Sequence, residues 1–321
     1  MLRRALLIAS LALLAPGAHA QTYPAKPIKI IVPFPAGATT DIIARLVASC
    51  MGETIWQPVL VENRAGAGGQ LGAEVVAKAA PDGYTILMHN ITFPLASVAA
   101  QLANRPLYNI DTDFAGISIA VYVPLVITAN PSVPAKDLRE LAGLLQRDRS
   151  LQYAYGSTGP GSFMHVTGEA FSREAKVTMI HVPLKGAAPL KQELLAGRLQ
   201  VGGDQLSSSL ADIRSGRLRA LATNGSKRIP ELPDVPTVRE QGFPVLEFEG
   251  WNGLFAPAKT PREIIDRLQR ETAAAVRYPD VAKRFGEIAA EPVGSSSAEQ
   301  EALLRKQVEQ VRPIIKEMKL D

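Results

Sequence analysis

The sequence of 321 residues carries 35 Lys and Arg against 31 Asp and Glu, which gives a formal net charge of +4. Residues 1–20 have the pattern of a secretion signal peptide, because Arg3 and Arg4 precede a short apolar run that ends in Ala-His-Ala. Without this segment the charge is 33 − 31 = +2, so we expect neither nucleic acid nor an anionic membrane surface as a partner. No later apolar run approaches the ~18 residues that a membrane-spanning helix needs.

Residues 28–41 predict a strand, a tight turn and the start of a helix. Ile28–Val32 is an apolar run rich in β-branched residues, which is typical of a buried strand. The following Pro-Phe-Pro-Ala-Gly-Ala cannot continue a strand, and Thr39, Thr40 and Asp41 stand where a helix N-cap is expected. The amide groups at such a helix start favour a bound anion. The same pattern is also common in α/β proteins that bind nothing there.

Strands and helices alternate along the rest of the chain, which predicts an α/β fold with mostly parallel sheets covered by helices. We predict a helix near 94–103, a loop around 107–114, and a capping box of Thr260 and Glu263 at the start of a C-terminal helix. Further strands are predicted, in chain order, at 59–61, 84–88, 124–128, 151–155, 178–182, 199–203, 219–223 and 250–255.

The order of these elements predicts two α/β domains. We assign residues 21–122 plus 247–321 to the first domain and residues 123–246 to the second. Because the chain crosses between them twice, we expect hinges and a cleft. Ligands of open α/β sheets bind at the carboxyl ends of the strands, so the cleft is the expected binding site.

A second glycine-rich turn, at 156–165, is expected to face the turn at 33–41 across this cleft. Two helix starts that face each other can hold one anion from both sides. His89–Asn90 and Asp204–Gln205 each follow a predicted strand, and we expect them at the far end of the ligand. The residues predicted to bind the ligand are Phe34, Ala36, Gly37, Ala38, Thr39, Asp41, His89, Asn90, Ser157, Thr158, Gly161, Ser162, His165, Asp204 and Gln205.

Motifs of the common enzyme and cofactor classes are incomplete in this chain. Gly66–Gly72 resembles a dinucleotide fingerprint, but its spacing is G-x-G-x-x-x-G and no ribose-binding acid follows the next strand. The three histidines after the signal peptide have no metal-ligand spacing. We therefore predict no catalytic residue, no metal and no cofactor. A secreted α/β hydrolase or transferase is the alternative, and it would need Ser157 or Ser162 paired with His165.

Several segments along the chain carry a family resemblance. They are Y-P-A-K-P-I-K-I-I-V-P-F-P-A-G at 23–37, V-E-N-R-A-G-A-G-G at 61–69, A-P-D-G-Y-T-I-L-M at 80–88, D-F-A-G-I-S at 113–118, H-V-P-L-K-G at 181–186, G-R-L-R-A-L-A at 216–222 and W-N-G-L-F-A-P-A-K-T-P at 251–261. In these segments the chain resembles the Bug-type solute-binding receptors of the tripartite tricarboxylate transporter family. The resemblance implies a two-domain periplasmic-binding-protein fold, a type II Venus flytrap clamshell with its ligand cleft between the domains.

The resemblance also implies a function. A member of this family is expected in the periplasm, where the loops matching 33–41 and 156–165 hold a small organic carboxylate. The receptor, which we expect to be a monomer, then passes the ligand to the membrane permease subunits of a tripartite tricarboxylate-type transporter. A ligand-sensing co-receptor is a further alternative, because a receptor of this shape can report its ligand to a membrane sensor without transport.

Departures from the family pattern indicate the kind of ligand. Leu184 stands where a tyrosine is usual, Pro160 where an asparagine is usual and Met164 where a serine is frequent. The second loop is therefore more apolar than the family pattern. We expect a ligand with an apolar body behind its carboxylate, walled by Phe34, Phe163 and Met164, unless these side chains face away from the cleft.

Overall fold

The structure is a computed structural model that describes residues 23–318, so the signal peptide predicted over residues 1–20 lies outside the described residues. Within this part of the chain the strands form two sheets. In chain order the strands are β1 (Ile28–Val32), β2 (Val59–Asn63), β3 (Thr85–Asn90), β4 (Phe114–Tyr122), β5 (Leu125–Ala129), β6 (Ala154–Ser157), β7 (Ile180–Pro183), β8 (Val201–Gln205), β9 (Arg219–Thr223), β10 (Trp251–Pro257) and β11 (Glu291–Pro292).

The α-helices cover these sheets, and short 3₁₀ turns lie at Ala67–Gly69, Leu206–Ser208 and Pro244–Leu246. In chain order the helices are α1 (Thr39–Ile55), α2 (Gln70–Ala77), α3 (Thr92–Leu102), α4 (Leu138–Arg147), α5 (Phe163–Glu174), α6 (Ala187–Leu195), α7 (Leu210–Arg214), α8 (Arg262–Arg277), α9 (Pro279–Glu287) and α10 (Ser297–Lys316).

The first sheet has six strands in the order β11-β4-β10-β3-β1-β2. β1 is parallel to β2 and β3, and β10 is antiparallel to both β3 and β4. The strand β4 is absent from the predicted strands, and it begins at Phe114, the last residue of the loop predicted around 107–114. We call this sheet and the helices on it the first unit.

The second sheet has five strands in the order β7-β6-β8-β5-β9 and belongs to what we call the second unit. β6 is parallel to β7 and β8, whereas β5 is antiparallel to β8 and β9. The strands predicted at 151–155 and 199–203 begin too early in the sequence. Ser157 and Asp204–Gln205 consequently lie at the ends of strands and not in the loops after them.

Two predicted helix caps are wrong, and the difference affects the site. The N-cap of α1 is Ala38, which makes no side-chain cap hydrogen bond, and Asp41 lies in the first turn. The N-cap of α8 is Pro261 and not Thr260. A capping box does form at the start of α10, between Ser296 and Glu299. The first turn of α1 is therefore not capped by a side chain of its N-cap residue.

The chain passes between the two units over residues 123–124 and again over 247–250. The C-terminal helices α8 and α10 pack on β4, as expected for helices that cover the first sheet. Where the units meet, the backbone of Gly161 lies against Ala96 in α3, and Gly186 lies against Pro35. None of the helices within residues 23–318 combines the length and the apolar character needed to cross a membrane.

Candidate functional site

A small cavity of about 20 Å³, which we call the cleft cavity, lies between the two units. It is found beyond the carboxyl ends of β1 and β3 in the first sheet and of β8 in the second. The residues that line it are Phe34, Pro35, Ala38, Thr39, Thr40, Asn90, Thr92, Thr158, Gly186, Ala187, Asp204 and Gln205.

The turn after β1 is held in place by the carboxylate of Asp41. Gly37 has a φ of +79°, which glycine adopts without strain, and its N–H donates to Asp41 Oδ2 over 2.8 Å. Although burial alone would raise it, hydrogen bonds from Arg45, Gly37 and Asn63 hold the pKa of Asp41 below its usual value. Asp41 thus stabilises the turn, while Ala36 and Gly37 are exposed and are not lining residues of the cleft cavity.

Two threonines in the first turn of α1 line the cleft cavity and form side-chain hydrogen bonds to neighbouring residues. Thr40 Oγ1 donates to Asn252 Oδ1 over 2.8 Å and accepts from Asn90 Nδ2 over 3.0 Å, so Thr40 is fixed within the first unit. Thr39 Oγ1 lies 2.5 Å from Ser207 Oγ in the second unit. The Thr39–Ser207 hydrogen bond therefore joins the two units beside the cavity.

His89 lies in the core behind Asn90 and is not a lining residue. Its ring stacks on Phe93 with 4.8 Å between ring centres and meets Phe34 edge-on at 5.2 Å. Burial lowers the pKa of His89 to about 3, so the imidazole is neutral near pH 7. Asn90 does line the cavity, and its Oδ1 accepts a hydrogen bond from the N–H of Thr92.

The second glycine-rich turn uses most of its polar groups internally. Ser157 Oγ lies 2.7 Å from His181 Nε2, and the N–H of Gly161 donates to His165 Nδ1 over 2.9 Å. The two imidazoles stack with 4.1 Å between ring centres. Burial lowers the pKa of His165 and of His181 to about 4, and the neighbouring His165 contributes to the shift of His181. Both rings are thus neutral structural parts of this turn.

Thr158 is the residue of this turn that reaches the cleft cavity. The other predicted contacts here, Ser157, Gly161, Ser162 and His165, are buried and are not lining residues. For the hydrolase alternative, neither serine hydrogen-bonds His165 in the part of the chain that the structure describes. Residues 23–318 also contain no group of three or more His, Cys, Asp or Glu side chains placed to hold a metal ion.

The end of β8 places an acid and an amide in the cleft cavity. Asp204 and Gln205 both line it, and Gln205 is only 1% exposed. Gln205 Nε2 has no hydrogen-bond partner among the described residues, so it is an unused donor in the wall of the cavity. Burial raises the pKa of Asp204 to about 6, against a small opposing effect of the Gln205 N–H.

Three helices begin at the cleft cavity. Thr39 opens α1, Thr92 opens α3 and Ala187 opens α6, and all three residues line the cavity. The first N–H groups of a helix lack intrahelical acceptors and carry the positive end of the helix dipole. None of the described residues that line the cavity is Lys or Arg. The positive potential in this cavity therefore comes from helix ends, which suits a small anion such as a carboxylate.

Five lining residues were not predicted, namely Pro35, Thr40, Thr92, Gly186 and Ala187. Pro35 and Thr40 belong to the predicted turn, where neighbouring residues were chosen instead. Gly186 and Ala187 carry a detectable signal, because a glycine between β7 and α6 repeats the strand–turn–helix pattern of the other two turns. Thr92 has no such signal, since α3 follows β3 almost directly and without a glycine.

A larger cavity of about 530 Å³, the side pocket, adjoins the cleft cavity. The two share Phe34 as part of a common wall, and the side pocket continues along residues 65–69 and 183–185. Phe34 thus lies where an apolar ligand wall was expected. Phe163 and Met164 do not, because both are buried in the core at 2% and 3% exposure and line neither cavity.

We compared this chain with a protein-family model, with related proteins and with solved structures. A model described as the tripartite tricarboxylate transporter family receptor matches residues 43–320. BugT of Bordetella pertussis is 34% identical over 310 residues, which cover 97% of this chain and 94% of BugT. The structure of MatC from Rhodopseudomonas palustris with bound malate aligns with a TM-score of 0.84 at 31% identity, over 91% of this chain and 100% of that one. The structure of the periplasmic binding protein BugD aligns with a TM-score of 0.82 at 33% identity, over 92% and 98% of the two chains. These alignments confirm the predicted α/β periplasmic-binding-protein fold.

Proposed function

Because this chain belongs to the receptor family of tripartite tricarboxylate transporters, we propose that it captures a small organic carboxylate in the periplasm. It is a solute-binding receptor of this family. The ligand would occupy the cleft between the two units and pass from there to the membrane permease subunits, with the receptor acting as a monomer. A likeness to MatC, whose structure contains malate, supports a carboxylate as the ligand.

The main support for this proposal is that three helices begin at the cleft cavity. Thr39, Thr92 and Ala187 mark helix starts at one place, where the N–H of Thr92 itself is donated to Asn90 Oδ1, and Gln205 Nε2 adds a donor that no described residue uses. An unsatisfied buried donor costs about 1–3 kcal/mol, and a bound carboxylate oxygen removes that cost. The anion is thus held by preorganised neutral donors, without a basic side chain in the described wall of the cavity.

The size of the cleft cavity implies that binding involves movement of the two units. A cavity of about 20 Å³ has room for about one water molecule, which is less than any organic acid occupies. We therefore propose that residues 21–122 plus 247–321 and residues 123–246 are domains that separate to admit the ligand. The connections over 123–124 and 247–250 would serve as the hinges. The Thr39–Ser207 hydrogen bond would then form each time the domains close.

A ligand panel tests this function. We would titrate the secreted chain with mono-, di- and tricarboxylates and, for contrast, with inorganic phosphate and nucleotides. Thermal shift would serve for the first screen and calorimetry for affinity. At least one carboxylate is expected to raise the melting temperature, because a ligand that binds only the folded state stabilises it. Binding of phosphate or a nucleotide with no carboxylate among the ligands would overturn the proposal.

A further inference from the structure

We propose that Asp204 makes the cleft selective for carboxylates that carry a hydrogen-bond donor, a hydroxyl or an ammonium group, next to the bound carboxylate. This inference rests on the function proposed above, because it assigns a ligand class to the same cleft. Asp204 is the acidic residue among those that line the cleft cavity, which is otherwise built to attract an anion. The negative charge of Asp204 would repel the same anion that the three helix starts attract.

Asp204 has no partner that would neutralise it. Among the described residues, no side chain donates a hydrogen bond or forms an ion pair with its carboxylate, and the neighbouring Gln205 N–H is its backbone donor. A second cavity of about 10 Å³ adjoins Asp204 on the side of α6. Of the residues that line the two cavities, Lys191 is the other charged one, and its Nζ lies 3.3 Å from Asp212 Oδ2. Lys191 is therefore engaged by a different carboxylate.

The remaining neighbours of Asp204 offer uncharged groups. The cleft side presents hydroxyls and backbone of the first turn of α1, with Thr39 already bonded to Ser207. On the sheet, Asp204 pairs with Val126 of β5. The amide of Gln205 is a buried donor without a partner, but Gln205 is the next residue of the strand and projects to its other face. A ligand that enters this cavity thus meets the carboxylate of Asp204 as an acceptor that no described side chain neutralises.

An acceptor in a cavity that otherwise attracts an anion recognises a bifunctional ligand. The ligand carboxylate accepts from Gln205 and from the helix starts, and a neighbouring hydroxyl or ammonium group donates to Asp204. A plain carboxylate leaves Asp204 without a donor and adds a like charge beside it, which is unfavourable. It relieves this repulsion only if Asp204 takes up a proton. Because burial raises the pKa of Asp204 to about 6, that protonation becomes significant as the pH falls through this value.

Matched acids test the inference on the unmodified protein. Succinate, malate and aspartate differ at one carbon, which carries hydrogen, hydroxyl or ammonium, and the glutarate, 2-hydroxyglutarate and glutamate set repeats the comparison one carbon longer. At pH 7.5 we expect a donor-bearing member to bind about tenfold or more tightly than its plain counterpart. Between pH 7.5 and 5.5 the affinity for the plain acid should rise, and the preference should shrink. A plain acid that binds equally well at pH 7.5, with no change at lower pH, would overturn the inference.

A variant pair assigns the preference to this side chain. Asp204→Asn keeps the shape and removes the charge, and we expect it to bind the plain acids more tightly and to lose most of the preference and the pH dependence. Asp234→Asn changes an exposed acid of the second unit and should behave as the wild type. If the donor preference is unchanged in Asp204→Asn, the inference is wrong although the receptor function stands. If no acid of either set nor of the wider panel binds the wild type, the proposed function fails instead, and the inference with it.

Discussion

The two glycine-rich strand–turn–helix segments look alike in the sequence but do different work in the fold. The first, after β1, brings Phe34 and the segment 38–40 to the cleft cavity, and its backbone is held by Asp41 from the adjoining helix turn. The second, after β6, contributes Thr158 to the cavity and uses Ser157 and Gly161 for hydrogen bonds to His181 and His165. A glycine-rich turn before a helix therefore indicates a possible anion site, but the partners of its polar atoms decide whether it is one.

The difference follows from where the second unit touches the first. Gly161 of the second turn lies against the backbone of Ala96 in α3, so this turn acts as a contact surface between the units. The second turn was expected to line the cavity with several residues. Gly186 and Ala187 at the start of α6 line that part of the wall instead. Under the proposed function, the first turn would thus be mainly a binding element, and the second mainly a closing element.

The largest effect that separates these roles is expected from Gly161→Ala. A Cβ at this position would lie 2.8 Å from Ala96 Cα, which is helix backbone and cannot move aside. Such overlap costs about 1–3 kcal/mol, and only in the closed arrangement, so affinity for the best ligand should fall about tenfold or more by calorimetry.

A matched control separates steric contact from backbone strain. Gly216 has a φ of +74°, close to the +71° of Gly161, but nothing lies within 4 Å of a Cβ added there. Gly161→Ala and Gly216→Ala should lose similar stability, about 1–2 kcal/mol, from the left-handed conformation. Equal affinities in the two variants would show that Gly161 is not a closing contact.

A smaller effect is expected from Thr39→Val, which removes the hydrogen bond from the first turn to Ser207 in the second unit. Loss of one such bond costs about 0.5–1.5 kcal/mol, so the ligand affinity should fall about three- to tenfold. Thr54→Val is the control, because Thr54 lies on the same helix but bonds Glu271 within the first unit. If both variants bind as the wild type does, the Thr39–Ser207 bond does not contribute to closure.

The smallest effect on affinity is expected from His181→Phe in the second turn, where the change should appear in stability. His165 and His181 have pKa values of about 4 in the folded protein, against about 6.5 when unfolded. Between these values the unfolded state binds more protons, so the free energy of unfolding should fall as the pH is lowered from 6.5 to 4.

Denaturant titrations over this pH range measure that dependence. His181→Phe removes one of three histidines with a lowered pKa, the others being His165 and His89, and should flatten the decline, with ligand affinity at pH 7.5 changed less than about threefold. An unchanged pH dependence would mean that His181 does not titrate as the structure indicates. A large loss of affinity would place the second turn among the binding elements after all.

The sequence was sufficient for the fold wherever hydrophobic pattern and turn residues agreed. β1 and β9 were predicted with their observed bounds, because mainly apolar segments of five residues lie between clear breaks. The strand β4 was missed, since its pairing with β10 depends on a segment more than a hundred residues further along the chain. The misplaced cap at Thr260 shows that a capping pattern predicts where a helix starts more securely than which residue caps it.

The candidate site was only partly predictable, because part of its wall depends on the packing of segments that are far apart in the sequence. Residues next to helix starts, such as Thr39, could be chosen from the local pattern, and they line the cavity. His89 and His165 were chosen because histidine near a strand end or a helix start often contacts ligands, but burial and internal contacts make both structural. Thr92 enters the wall only through the packing of separate segments, which local sequence does not encode.

The most direct test of carboxylate binding in the cleft cavity is a calorimetric titration with the best carboxylate of the panel. It compares the wild type with Gln205→Glu. Gln205 is buried in the cleft cavity with an unused donor, so a carboxylate at this position should repel the ligand and remove a hydrogen bond. We predict an affinity at least tenfold weaker at pH 7.5, whereas Gln152→Glu, an exposed change in the same unit, should bind as the wild type does. Equal affinity in Gln205→Glu and the wild type would show that the carboxylate binds elsewhere.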